Sequence, residues 1–325
     1  MISVRTLYDK VKKGKIFLSP WFLQDQFIRR ILAPLLFRKN DGVYIVEEQW
    51  DHLIILDACR YDTFKEVLQE MGIEGKLESR SSRGSNTKSF LSENFRSERF
   101  EEIIYIASNP HVSRLLTGKF YKTVHVWKNG WDETLGTVPP SAVYASALRE
   151  IQKHPSKKLI IHFMQPHYPY ISLNVNLEAA ANTLFLAPDA KKKFSEKDVK
   201  IENKYVFNPF KYFFREFCPY VEMGREVLLR AHKDNLKWVM PYVKKLFGIL
   251  EGKIVVISDH GDAFDEKIHP LIPIHVYFHP PNIRIPVLVK VPWLIVEGRG
   301  DVNKEKIEEK IIRLRLEKLK QDKKI

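Results

Sequence analysis

The stretch Lys253-Ile254-Val255-Val256-Ile257-Ser258-Asp259-His260-Gly261-Asp262 decides the fold. Its β-branched run carries no polar residue after Lys253, so neither face of the segment is suited to water, which is the mark of a strand inside a parallel sheet covered on both sides. The run stops abruptly at Asp-His-Gly. A carboxylate and an imidazole are thereby delivered to the carboxyl edge of the sheet, where open α/β folds place their chemistry. The same construction occurs upstream, where His52-Leu53-Ile54-Ile55-Leu56 runs into Asp57-Ala58-Cys59-Arg60-Tyr61-Asp62. The two strand ends are expected to face one metal ion.

Outward from these two stretches the chain alternates strand-like runs with helical patterns, which predicts an α/β three-layer sandwich with a mainly parallel central sheet. Strands are expected at 52–57, 102–107, 122–127, 158–164, 253–258 and 285–291, and helices at 61–71, 87–95, 110–117, 140–153 and 224–250. In the last helix Val227, Leu228, Ala231, Leu236, Val239, Val243, Leu246 and Phe247 follow a helical period, with Pro241 set to kink it or to start a second helix. Between Pro169 and Glu222 the pattern fails, and a triple lysine and a cluster of aromatics fill the gap. A stretch that long within a compact domain reads as an insertion or lid over residues 170–222, or as a small aromatic core of its own.

The flanks differ from the body. Residues 1–50 form a basic, aromatic extension in which Trp21, Phe22, Phe27, Ile28, Ile31, Leu32, Leu35 and Leu36 recur at near-helical spacing among Arg29, Arg30, Arg38 and Lys39. A helix packed on the core by this stripe is favoured over one lying on a membrane surface, and Pro34 interrupts either. Residues 51–300 form the body, and residues 301–325 read as a terminal helix docked on it, or as a basic partner-binding helix.

Composition narrows the function. The 325 residues are 44% hydrophobic, which excludes a disordered chain and allows a sizeable core. A net charge of +13 fits attraction to phosphate, sulfate, nucleic acid or an anionic membrane, and fits equally a lysine-rich surface in a thermophile protein. The case for nucleic acid rests on charge alone. Two cysteines, Cys59 and Cys218, make no disulfide framework, no run approaches the roughly 18 apolar residues of a membrane span, and no signal-peptide pattern opens the chain. A soluble, cytoplasmic protein, with peripheral membrane contact left open, is the expectation.

Four segments, Leu56 to Asp62, Ser82-Arg83-Gly84-Ser85-Asn86-Thr87, His162 to Tyr170 (His-Phe-Met-Gln-Pro-His-Tyr-Pro-Tyr) and Ser258 to Asp262, occur in the order seen in the alkaline phosphatase/sulfatase superfamily. Over roughly residues 50–296 the chain resembles that superfamily, and in detail an archaeal sulfatase-like hydrolase. The Ser-Asp-His-Gly element is the specific part.

The resemblance implies an alkaline phosphatase-like fold with Asp57, Thr87, Asp259 and His260 around one divalent metal, Zn, Mn, Ca or Mg. Thr87 is then the nucleophile, on a loop that opens a helix, with Ser85 the competing choice; without the resemblance Thr87 reads better as a plain helix N-cap. His167 takes the substrate-contacting position of the superfamily's Pro-His-x-Pro-Tyr element. Ile171 stands where two-zinc members carry a second histidine, which favours a single metal. His279, with His275 and His269 as alternatives, is implied as a further substrate histidine. Arg60 and Arg83 would hold substrate oxygens through planar forks, and are equally well explained as structural ion pairs. The Cys/Ser-x-Pro-x-Arg motif of true sulfatases is missing, so phosphoryl chemistry is favoured over sulfate-ester hydrolysis. The implied activity is hydrolysis or transfer of an anionic phosphate or sulfate ester on a small molecule, glycan or lipid. An inactive binding module of the same fold, peripheral to membrane or polyanion, is the alternative. Oligomeric state is not legible.

Overall fold

β1 (His52–Asp57) lies at the centre of a seven-stranded sheet because Leu53, Ile54, Ile55 and Leu56 are all apolar and all fully buried. The computed structural model describes residues 27–37, 39–96, 99–173 and 223–301. Along β1, Leu53 and Ile55 point to one covering layer and Ile54 and Leu56 to the other, as the two-residue period of a strand requires. Each such side chain contributes on the order of 2 kcal/mol by leaving water, an upper figure.

The remaining strands are β2 (Lys76–Ser81), β3 (Phe100–Ala107), β4 (Phe120–His125), β5 (Lys158–Pro166), β6 (Glu251–Ser258) and β9 (Lys290–Arg299), in the order β2-β9-β6-β1-β5-β3-β4. Only β9 runs against the others, pairing antiparallel with β6 and with β2. One face is covered by α2 (Tyr61–Glu70), α6 (Pro140–Lys153) and α7 (Arg225–Ile249), whose Phe64, Leu148 and Leu236 meet Ile54, Ile161 and Val256. The other is covered by α3 (Thr87–Asn94) and α4 (Pro110–Leu115), which bring Phe90, Leu91 and Val112 onto Leu53, Tyr105 and Val255. The three-layer α/β architecture expected from the sequence is present.

Every strand and helix predicted for the described residues is found within a few positions, except the strand at 285–291. There Pro286 opens a short helix, α8 (Pro286–Val289), and β9 starts only at Lys290. Proline supplies the φ a first helical turn needs and lacks the N–H a strand would use. A further short helix, α5 (Val126–Gly130), ends the expected 122–127 strand early. Pro241 neither ends nor splits α7, which is continuous through it. Two regions were not anticipated. β2 reads Lys-Leu-Glu-Ser-Arg-Ser because it is an edge strand with no fully buried residue, so it lacks the apolar run that betrays the inner strands. β7 (Ala263–His269) and β8 (Ile272–Phe278) form a separate antiparallel hairpin.

At the N-terminal side a π-helical turn, Ile28–Leu32, runs directly into α1 (Ala33–Leu36). Ile28 and Ala33 are buried in a small core with Ile268 and Val276 of the hairpin and with Ile283, Ile285 and Leu288. Of the described part of the stripe, Ile28 is buried against the body and Leu32 and Leu36 pack beside it, whereas Phe27, Ile31 and Leu35 stay exposed. The insertion, apart from 170–173, lies outside the described residues, as do residues 1–26 and the expected terminal helix.

Gly261 shows how closely the site-bearing loop is held. Its N–H donates to the Leu288 carbonyl at 2.8 Å, and a Cβ there would lie 1.9 Å from the Val287 oxygen, so no larger residue fits. The turn after β1 is fixed as firmly. Ala58 has a φ of 60°, costly for a residue with a Cβ, yet its N–H donates to Asp259 Oδ1 at 3.1 Å and its carbonyl meets His232 Nε2 at 3.0 Å.

Candidate active site

β1 ends at Asp57 and β6 ends one residue before Asp259; because the two strands are adjacent and parallel, both carboxylates emerge at one sheet edge, fully buried. From the opposite layer α3 begins at Thr87. Asn86, not Thr87, is the N-cap: its side chain accepts from Ser89 N–H, and Ser89 answers in a capping box. The Thr87 hydroxyl is thereby released from capping. It donates to Asp259 Oδ2 at 2.8 Å and lies 3.2 Å from His260 Nε2 and 3.5 Å from Asp57 Oδ1. The sequence-predicted quartet Asp57, Thr87, Asp259 and His260 is brought together at hydrogen-bonding distances.

The histidines share one geometry. His260 Nδ1 meets the Gly261 carbonyl at 2.8 Å, His167 Nδ1 the Tyr168 carbonyl at 2.5 Å, and His279 Nδ1 the Asp262 carboxylate at 2.8 Å. A carbonyl or an ionised carboxylate can only accept, so each Nδ1 carries the proton and each Nε2 presents a lone pair. The His279 ring stands 4.5 Å from His260 and 4.9 Å from His167, centroid to centroid. Burial lowers all three, His167 further through His279, to about 3 for His167 and about 4 for His279. They are neutral near pH 7, the state that accepts a proton or holds a metal.

Other predicted residues lie elsewhere. The Ser85 hydroxyl donates to the Pro280 carbonyl at 3.0 Å and takes no part in the quartet. His275 binds Asp265, and His269 sits at the end of β7 with its Nδ1 accepting from Leu271 N–H, so of the three histidines weighed only His279 reaches the cluster. Arg60 is buried with its fork spent on Asp62, Glu266 and the Asp262 carbonyl. Arg83 donates to the Gly42 carbonyl, pairs with Glu93 and lies over the Tyr44 ring at 3.7 Å. Substrate contact by Arg60 or Arg83 is therefore not what their surroundings provide: both guanidinium groups are bound into the protein. The Cys59 thiol is buried, and burial raises it far above the thiolate range near pH 7.

Three residues at the site were not singled out from sequence. Asn109, where β3 gives way to α4, donates to Asp57 Oδ2 at 2.7 Å while its own oxygen caps His111 N–H. His162, inside β5, is fully buried, contacts Tyr105 Oη through Nδ1 and leaves Nε2 without a hydrogen-bond partner 3.8 Å from Asp57 Oδ2. Asp262, fully buried, orients His279. A signal existed only for Asn109, an Asn-Pro pair after a strand, and for Asp262, which ends the quoted motif.

The residues fit a divalent cation. Two buried carboxylates share one hydroxyl, and burial together with the Asp259 charge raises Asp57 well above the usual carboxylate range. Asp57, His162 and Asp259 each offer a ligand atom, all within 4.8 Å of one another. Oxygen and imidazole donors suit Zn, Mn or Mg.

A pH signature follows from Asp57. A carboxyl raised in the fold stabilises it fully below the unfolded value, about 3.9, and that contribution is lost as pH climbs through the raised value. A cation that pairs with the carboxylates competes with the proton, so added metal should raise the melting temperature more at about pH 8 than at about pH 5, by roughly 5 °C at a hundredfold excess over Kd. In Asp57→Asn most of that gain should vanish; a gain unaltered by the variant would place the metal elsewhere.

No family model matches the chain, and no curated protein does. Among solved structures, its fold is similar to that of the integral membrane protein lipooligosaccharide phosphoethanolamine transferase A from Neisseria meningitidis, at 12% identity and a TM-score of 0.51, with 91% of this chain and 58% of that one covered. The chain thus spans less than two thirds of that protein's length. Weaker likenesses include the C-terminal periplasmic domain of EptC from Escherichia coli (12% identity, TM-score 0.41, 77% and 72% covered). A protein of the alkaline phosphatase superfamily from Vibrio parahaemolyticus is also similar (14% identity, TM-score 0.36, 79% and 61% covered). At such identity the likeness is one of fold.

The expectation of a cytoplasmic protein is not kept, since the first of these structures, the one resembled at a TM-score of 0.51, is that of an integral membrane protein. The archaeal qualifier and heat adaptation find no support in them. Among the described residues no helix is long and apolar enough to cross a membrane.

Proposed function

We propose that the chain is a metal-dependent enzyme of phosphoryl transfer in which Thr87 is the nucleophile. The observation that carries the reading is the Thr87 hydroxyl at the start of an eight-residue helix, 2.8 Å from Asp259 and 3.2 Å from His260, with the capping role taken by Asn86. Asp57, Asp259 and His260, with His162 beside them, would hold the cation; when bound, it lowers the hydroxyl's pKa and offsets charge on the phosphoryl oxygens.

In the first step a bond forms between Thr87 Oγ1 and phosphorus as the ester P–O bond breaks. The leaving oxygen takes the electron pair and the proton given up by Thr87. In the second, an acceptor alcohol or water attacks phosphorus, its proton is taken at Nε2 of His167 or His279, and Thr87 Oγ1 departs with the electron pair of its bond to phosphorus and recovers that proton from the imidazole. The Asp262 carboxylate keeps the His279 lone pair on Nε2 for that task. The positive end of the α3 dipole favours the transferred anion.

By analogy with the lipooligosaccharide phosphoethanolamine transferase of Neisseria meningitidis, the substrate is a lipid- or glycan-linked phosphate ester. The test is metal content together with nitrophenol release from aryl phosphate, phosphodiester and sulfate esters. Phosphorus esters should be turned over at least tenfold faster than the sulfate ester, and Asp259→Ala should lose both metal and turnover. Protein that binds no divalent metal, with Asp259→Ala behaving like the parent, would leave a binding module in place of an enzyme.

A further inference from the structure

Three features outside the catalytic cluster meet at one place. Phe27, Ile31 and Leu35, spaced four residues apart along the helical segment that packs on the β7–β8 hairpin, are 51%, 52% and 56% exposed although their neighbours Ile28 and Ala33 are buried. At about 1.5 Å per residue they make an apolar ridge about 12 Å long. The tip of the hairpin adds Leu271, 87% exposed. Beside the ridge, Leu35, Leu36 and Phe37 line a groove of about 670 Å³ whose lining also carries Lys39, Lys290 and Asp41, with Arg80, which pairs with Glu78 at 2.7 Å, and Arg284, which donates to the Arg83 and Ser82 carbonyls.

The groove opens on the functional edge of the sheet. β2 runs parallel to β6, because each pairs antiparallel with β9, so Arg80 and Ser81 come to the same edge as Asp259, and Lys290 is opposite Ser81. Arg284 also binds the Ser82 carbonyl, whose hydroxyl donates to the Asp259 carbonyl.

We infer that this face docks the protein on an anionic lipid surface, with Phe27, Ile31, Leu35 and Leu271 entering the acyl boundary and Lys39 and Lys290 meeting lipid phosphates. An apolar ridge flanked by cations is the complement of that boundary, where hydrocarbon and phosphate lie within one side-chain length of each other. A protein partner would have to match both the ridge and the excess of positive charge. A nucleic acid would leave the ridge in water, where isolated apolar residues of this size are rarely aligned. Docked this way, the sheet edge that bears Asp57, Asp259 and Thr87 is held close to the membrane. The inference needs no catalysis and is tested without it.

The full-length chain is sedimented with vesicles of phosphatidylcholine alone and with about 30% phosphatidylglycerol, at low and high salt. Binding should rise at least tenfold with the anionic lipid and fall with salt. Each lysine near the surface is worth about fivefold in partition, so Lys39→Glu with Lys290→Glu should lower binding more than twentyfold. Ile31→Asp with Leu35→Asp should lower it at least tenfold. Leu271→Asp, at a position that cannot disturb packing, should lower it severalfold, and unchanged circular dichroism melts show that the variants are folded. Equal binding to neutral vesicles, no binding by the parent, or variants that sediment like the parent because other basic segments do the work would each overturn the inference. So would a concentration-dependent dimer, abolished by Ile31→Asp with Leu35→Asp, in a chain that ignores vesicles.

Discussion

Thr87→Ala should lower kcat/KM on an aryl phosphate by at least about a thousandfold while leaving the fold nearly as stable as before. The two halves of that result come from the same geometry. The hydroxyl makes its shortest contact with Asp259 Oδ2 and does not cap α3, so removing it costs about 1 kcal/mol of hydrogen bonding and no helix terminus. Were Thr87 a structural cap, the reverse would hold, with stability lost and turnover kept. Thr87→Ser, which keeps the oxygen and loses a methyl group, should retain within about tenfold of the activity. Ser85→Ala should stay within about threefold, because that hydroxyl is committed to the Pro280 carbonyl. A phosphate adduct on the peptide containing Thr87, trapped by acid quench and absent from Thr87→Ala, would fix the nucleophile chemically. Full turnover by Thr87→Ala would remove it from the reaction.

The features that were readable in the sequence are those written as local contrasts. An apolar run ending in a carboxylate marks both β1 with Asp57 and β6 with Asp259, and the helical periods of α6 and α7 mark the layer that covers them. His162 was hidden by the same logic, since it sits inside the apolar run of β5 and reads as one more core position; only the pairing of β5 with β1 brings it beside Asp57. Asn109 arrives from β3, two strands away, so its donation to Asp57 depends on strand order, which no local pattern encodes. β2 was illegible for a different reason: an edge strand with solvent on one side can be built from Glu, Ser and Arg. Ala58 gives no warning of its positive φ, because the hydrogen bonds that hold it come from Asp259 and His232, far along the chain. The two arginines near the site were ambiguous in sequence because a guanidinium fork suits a substrate oxygen and a protein carboxylate equally well.

For Arg60 the structure turns that ambiguity into a measurable difference. Arg60 is 1% exposed, and its guanidinium donates to both oxygens of Asp62, to Glu266 and to the Asp262 carbonyl, and lies 5.5 Å from the Phe264 ring. Arg60→Met keeps the length and the apolar stem but leaves the buried Asp262 carbonyl without its donor and Glu266 with only Arg225 and the Phe264 N–H. Breaking one side of a buried pair costs about 3–5 kcal/mol, so the melting temperature should fall by roughly 6 °C, with little dependence on salt because the pair is shielded from water. Asp62→Ala should cost less, near 1 kcal/mol, since the Asp62 side chain is 56% exposed. Arg60→Lys should recover only part of the loss, because an ammonium cannot span Asp62 and Glu266 as the planar fork does. A substrate-binding arginine would behave in the opposite way, raising KM with the melting temperature unchanged. Since the Asp262 carbonyl accepts from Arg60 while its carboxylate holds His279, the loss of Arg60 should also loosen the imidazole beside the quartet, lowering kcat modestly in step with stability and leaving KM nearly alone.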